Sequence, residues 1–112
     1  MLNIEKKYVV KDKNSVTWGN VTLKYSKYDS LHGYLNPTDD FKDVFELFKR
    51  HEEIMNENGE VNDELKKTGK EIANLGVEFI DVDSQEVVKP GIVFVSQAKK
   101  GLLLTCDNEK EI

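Results

Sequence analysis

DDFKDVFELFKRHEEIM, residues 39–55, decides the fold, because it holds more apolar side chains than a helix with one packed face needs. At about 100° per residue, Phe41, Val44, Phe45, Phe48 and Met55 gather into one sector, while Leu47 and Ile54 lie about 100° or more from its centre. Leu47, His51 and Ile54 follow a four-then-three spacing of their own. Two faces imply two neighbours, so the Phe-rich sector is expected on a sheet and the Leu47 stripe on a second helix. Glu52 falls inside the Phe sector by angle, so the sheet contact should fade after Phe48. The end of the helix, from Glu52 to Glu57, should then project beyond the sheet.

The flanks supply the ends of this helix and its partner. Asn36 is the expected cap, Pro37 the first helical residue, and Asp39 and Asp40 suit the positive end of the helix dipole. Asn56, Asn58 and Gly59 form the expected stop. A second helix fits residues 63–75 behind a possible cap at Asn62. Val61, Leu65, Thr68, Ile72 and Leu75 make its one narrow stripe, and Gly76 is its C-terminal cap.

Both sides of this hairpin read as β. Upstream, residues 7–11 (KYVVK) form a strand, and SVTWGNVTLKY suggests a β-hairpin turning at Gly19-Asn20. That turn would place Val16, Trp18, Val21, Leu23 and Tyr25 on one core face. Residues 26–35 suit a short further strand. Downstream, strands are expected at 77–83, 86–88, 91–96 and 102–106. Ile92 to Val95 (IVFV) is apolar on both faces, which predicts a central, doubly covered strand. The chain is therefore expected to be one α+β domain, an antiparallel sheet of five to seven strands with element order β-β-β-(β)-α-α-β-β-β-β. Its parts are an N-terminal β region (1–35), a helical hairpin (36–76), a C-terminal β region (77–106) and a frayed tail (107–112).

Composition narrows the function classes. The 112 residues fit one domain, and 38 % hydrophobic content with five Phe and one Trp provides a core. Charges stand at Glu5, Lys6 and Lys7 where a signal peptide needs an apolar run, which predicts a cytosolic protein with no membrane span. Cys106 is the only cysteine, so neither an intramolecular disulfide nor a multi-thiolate zinc site can form within one chain. Asn20-Val21-Thr22 matches a glycosylation sequon, which carries no weight without secretion. No Walker loop, dinucleotide glycine pattern or zinc spacing occurs. No cofactor and no metal are expected.

Net charge is −5, and it is segregated. Residues 1–35 hold six Lys against three acids, residues 36–64 ten acids against three basic residues, and residues 65–112 seven Lys against eight acids. Arg50 is the only Arg, so specific nucleic-acid binding is disfavoured. The acidic residues around the helical turn form a field that could steer a basic protein partner. Glu53, Glu57, Glu60 and Asp63 are the candidate partner-binding residues.

Other candidates each have a plainer reading. His32 lies near Asp29 and Ser30, but hydrolase triads assemble across a fold, and no Gly-x-Ser-x-Gly elbow is present. His51 reads as a packing residue against the second helix. Cys106 reads as a buried thiol whose pKa Asp107 would raise. Asp81, Asp83 and Glu86 form a carboxylate cluster, with Asp81 and Asp83 expected on one strand face, yet the glycine of a calcium loop is missing. Lys99-Lys100-Gly101 reads as a soluble hairpin tip.

The expectation is a small non-catalytic cytosolic protein acting through protein–protein contact as a monomer or homodimer. An inhibitor, immunity or phage-type accessory protein fits a Lys- and Asn-rich, Arg-poor chain. The alternatives are a small-ligand-binding protein, an enzyme of unknown class with Asp29, His32, His51 or Cys106 converging, and an acidic nucleic-acid mimic.

Overall fold

The computed structural model describes residues 2–58 and 63–107. Along the chain these form β1 (Lys7–Lys11), β2 (Thr17–Lys27), β3 (Ser30–Pro37), α1 (Phe41–Asn58), α2 (Asp63–Ala73), β4 (Glu78–Asp81), β5 (Val87–Val88), β6 (Val93–Ala98) and β7 (Gly101–Asp107). The fold is α+β. Among the described residues the strands make one antiparallel sheet in the order β5-β4-β1-β2-β3-β7-β6, with the helical hairpin inserted in sequence between β3 and β4.

Strand order and chain length together bend this sheet. β5 and β6 are its two edges, yet only residues 89–92 join them. Five steps of extended chain reach about 16–18 Å. The outer strands of a flat seven-stranded sheet would stand about 29 Å apart at the usual strand spacing. The sheet must therefore curl until its edges approach each other, leaving a seam between β5 and β6. Its inner face carries Tyr8, Val10, Val21, Leu23, Leu31, Leu35, Phe79, Val95, Leu104 and Cys106, all buried.

The expected turn at Gly19-Asn20 does not form, and β2 runs straight through it. Val10 pairs with Gly19 and Lys11 with Thr17, so Trp18 is the extra residue of a β-bulge. The bulge shifts the side-chain phase by one residue and brings Trp18 onto the face of Val21 and Leu23. Gly19 is required here: its φ is +143°, and a Cβ would lie 1.9 Å from the Asn36 carbonyl oxygen. A second irregularity at Lys24 restores the phase, so Tyr25 points outward and is exposed rather than buried with Leu23. The turn itself is made by Tyr28 and Asp29, at φ +51° and +66°, which matches the left-handed pair of a two-residue hairpin loop.

Pro37 also differs from expectation. It closes β3, paired with Gly19, and α1 starts four residues later at Phe41. Thr38 bridges the two elements, its N–H donating to the Trp18 carbonyl at 2.8 Å and its hydroxyl to the Thr17 carbonyl. A proline has no N–H to lose at a strand end, so the residue suits this position as well as a helix start.

α1 lies against β2 and β6, with Phe41 and Phe48 fully buried and Val44 and Phe45 packed on the core. The Phe48 ring stands edge-on to Trp18 (5.6 Å, 83°) and to Phe94 (5.7 Å, 86°). This corrects the reading of IVFV as a central strand: β6 is an edge. Val93 and Val95 face the inner core while α1 reaches round to cover Phe94. α2 packs on α1 through a His51–Thr68 hydrogen bond and an Arg50–Glu71 ion pair at 3.2 Å. Asp107, placed with the tail by sequence, is the last residue of β7. Residues 108–112 lie outside the described residues, as do Gly59, Val61 and the expected cap Asn62.

Phe48 links strand, helix and edge. Phe48→Ala should lower unfolding free energy by about 3–5 kcal/mol, measured by urea titration of Trp18 fluorescence.

Candidate interaction surface and buried polar groups

The outward side of α1 is a stripe. Asp43, Glu46, Arg50, Glu53 and Glu57 recur at steps of three and four, so they share one helical face, and all are exposed. Arg50 is turned away to Glu71. Among the described residues the carboxylates of Asp43, Glu46, Glu53 and Glu57 make no ion pair. A groove of about 470 Å³ runs beside the stripe between α1 and α2, lined in part by Glu46, Leu47, Arg50 and Glu71.

This arrangement costs the helix stability. The last turn of α1 has no basic residue, so Glu57 faces the negative end of its macrodipole, an unfavourable contact of about 0.3–1 kcal/mol, with Glu53 one turn further back. Of the predicted partner-binding residues, Glu53 and Glu57 share this face. Asp63 is exposed at the first position of α2, and Glu60 lies outside the described residues. Asp43 and Glu46, not among the predicted contacts, extend the same stripe; their three-four spacing to Glu53 was the available signal.

The histidines and the cysteine do not converge. His32 stacks on Tyr25 (4.8 Å, 12°), and its Nδ1 lies 3.1 Å from the Thr105 hydroxyl on the outer face of the sheet. Cys106, the next residue along β7, pairs with Leu31 and points to the inner face. Ser30 donates to the Asp107 carboxylate at 3.0 Å. His51 Nδ1 is 2.6 Å from the Thr68 hydroxyl, which itself approaches the carbonyls of Leu65 and Glu64 at 3.1 and 3.2 Å. The His51–Thr68 bond ties α1 to α2 at the hairpin crossing.

Two buried carboxylates have structural partners. Asp12 accepts the N–H groups of Asn14 (2.9 Å) and Val16 (3.2 Å) on Oδ1 and the Trp18 indole N–H (3.1 Å) on Oδ2. Asp81 accepts the Asp83 and Ser84 amides on Oδ1 and the Lys6 ammonium on Oδ2 at 2.9 Å. β4 ends at Asp81, so Asp83 belongs to the turn and does not share its strand face as expected. The bond from Lys6 and the turn amides hold the Asp81 carboxyl at about 2 against an ordinary 3.8. Lys6 is raised in return, first by its bond to Asp81. Among the described residues no group of three or more His, Cys, Asp or Glu converges as metal ligands would, and no helix is long and apolar enough to cross a membrane.

A carboxyl with a depressed native pKa contributes stability above its unfolded value and loses it as the pH falls through the native one. The urea midpoint should therefore drop between about pH 4 and pH 2. Asp81→Asn should have a lower midpoint at pH 7 and a shallower acid limb.

Burial, reinforced by Asp107, pushes the Cys106 thiol up to about 12. At pH 7.5 a thiol reagent such as DTNB should label the native protein only at its rate of opening, and at once in denaturant. Fast labelling of the native state would contradict this placement. Compared with known proteins, the chain matches no family model, no curated protein and no solved structure, so its function has to be read from these surfaces.

Proposed function

We propose that the protein is a small, non-catalytic cytoplasmic module that binds another protein through the acidic stripe of α1, chiefly Glu53 and Glu57, together with Glu60 and Asp63. The partner surface is basic. An inhibitor, immunity or phage-type accessory role suits such a module. The observation that carries this reading is the run of carboxylates toward the C-terminal end of α1 that make no ion pair among the described residues, in a helix whose last turn has no basic residue. A cationic partner gains from both the side chains and the dipole at that point.

Phe41, Phe45 and Phe48 fasten the first half of α1 to Trp18 and the core, which sets the direction in which the helix carries its acidic stripe. The basic N-terminal strands fold into the sheet beside β4 and β7. The charge segregation of the sequence thus becomes a polar molecule with one acidic helical side.

Reversing Glu53, Glu57 and Glu60 to Lys should leave the melting temperature unchanged or slightly raised, because lysines suit that helix end. Affinity capture from the native cell, followed by mass spectrometry, should lose the partner recovered by the unmodified protein. Undiminished recovery by the reversed protein would overturn the reading.

A further inference from the structure

The curled sheet does not close, and its seam is hollow. A concavity of about 550 Å³ lies between the end of α2 and the 89–93 link, walled by Ile72, Ala73, Val77 and Val93 with Lys13 and Lys89 also in its lining. We infer that this seam groove binds a small amphipathic anion, an apolar chain or ring bearing one carboxylate. The site is separate from the acidic stripe of α1 and does not depend on that surface having a partner.

The volume is that of a small-ligand pocket, and the walls are the apolar kind such ligands need. Its own side chains do not fill it. The α2 side of the groove carries Gly69, Ala73 and Gly76 beside Ile72. Ile92 adjoins the groove with 69 % of its surface exposed, an apolar side chain that a bound chain would cover.

The charge pattern selects the ligand's polar end. Lys13 is fixed at the groove because its N–H donates to the Leu75 carbonyl at 3.0 Å and its side chain lies along Gly76. Neither Lys13 nor Lys89 has an ion pair among the described residues. Glu78 also lines the groove, so the lining carries one net positive charge. One carboxylate matches that balance, whereas a dianion or a cation does not.

The test is calorimetric titration of the full chain with dodecanoate below its micellar concentration, alongside dodecanol and dodecyltrimethylammonium. Dodecanoate should bind saturably at one site, about tenfold or more tighter than either comparator, a difference of about 1.4 kcal/mol or more. Ala73→Leu, which fills the groove from an exposed helix position, should abolish binding with the melting temperature retained. Lys13→Gln with Lys89→Gln should reduce dodecanoate to the affinity of the alcohol. Absence of saturable dodecanoate binding, equal binding of the alcohol or the cation, or unchanged binding by Ala73→Leu would each overturn the assignment.

Discussion

The structure depends on how Trp18 is held. Its indole N–H donates to the buried Asp12 carboxylate, while its ring packs on Phe41 at 5.0 Å and on Phe48 at 5.6 Å. One side chain thereby joins the β1–β2 corner to the helix that follows β3. A buried carboxylate is costly unless donors satisfy it, and Asp12 collects three, two of them from the loop that it shapes. The corner and the indole are therefore mutually dependent: without Asp12 the indole N–H is orphaned, and without Trp18 one carboxylate oxygen loses its buried donor.

The bulge that delivers Trp18 to this position also helps to bend the sheet. Extra residues at Trp18 and Lys24 sit on the central strand β2, and bulges increase local twist. Twist on the middle strand moves both edges, so the approach of β5 to β6 follows from the same irregularities that seat the indole. A barrel would close that approach with hydrogen bonds. Here β5 has only two residues, both paired with β4, and among the described residues no pairing joins it to β6. The seam is thus a consequence of one short strand meeting a sheet curved enough to need a longer one.

Much of this is legible in the sequence, though not always through the feature that alternation suggests. The two-faced pattern of residues 41–55 correctly implied a sheet on one side and α2 on the other, because helical periodicity survives whatever the neighbours are. Trp18 was placed in the core through a turn at Gly19-Asn20, and a bulge at Trp18 produces the same one-residue phase shift. Side-chain alternation alone does not separate the two. The true turn was hidden because it uses Tyr28 and Asp29, and a tyrosine seldom signals a left-handed backbone. Strand order was not legible either. An apolar residue on each face of β6 suggested flanking layers, but a helix wrapping an edge satisfies the same pattern.

That wrapping separates what the fold explains about α1 from what it does not. An exposed edge strand invites pairing with other chains, and covering it is a recurrent solution. Phe48 and His51 do this for β6 by packing on Phe94, which accounts for the helix through its third turn. Beyond His51 the aromatic contacts to Phe94 end, and Glu53, Met55 and Glu57 are exposed. A helix that served only to cover the edge would not need carboxylates there, since they oppose its own dipole and pair with nothing described. Charge does discourage edge-to-edge association, but Glu53 and Glu57 follow the residues that cover Phe94. The exposed carboxylates left without an ion pair among the described residues are therefore those toward the C-terminal end of α1, and it is on them that the case for a partner rests.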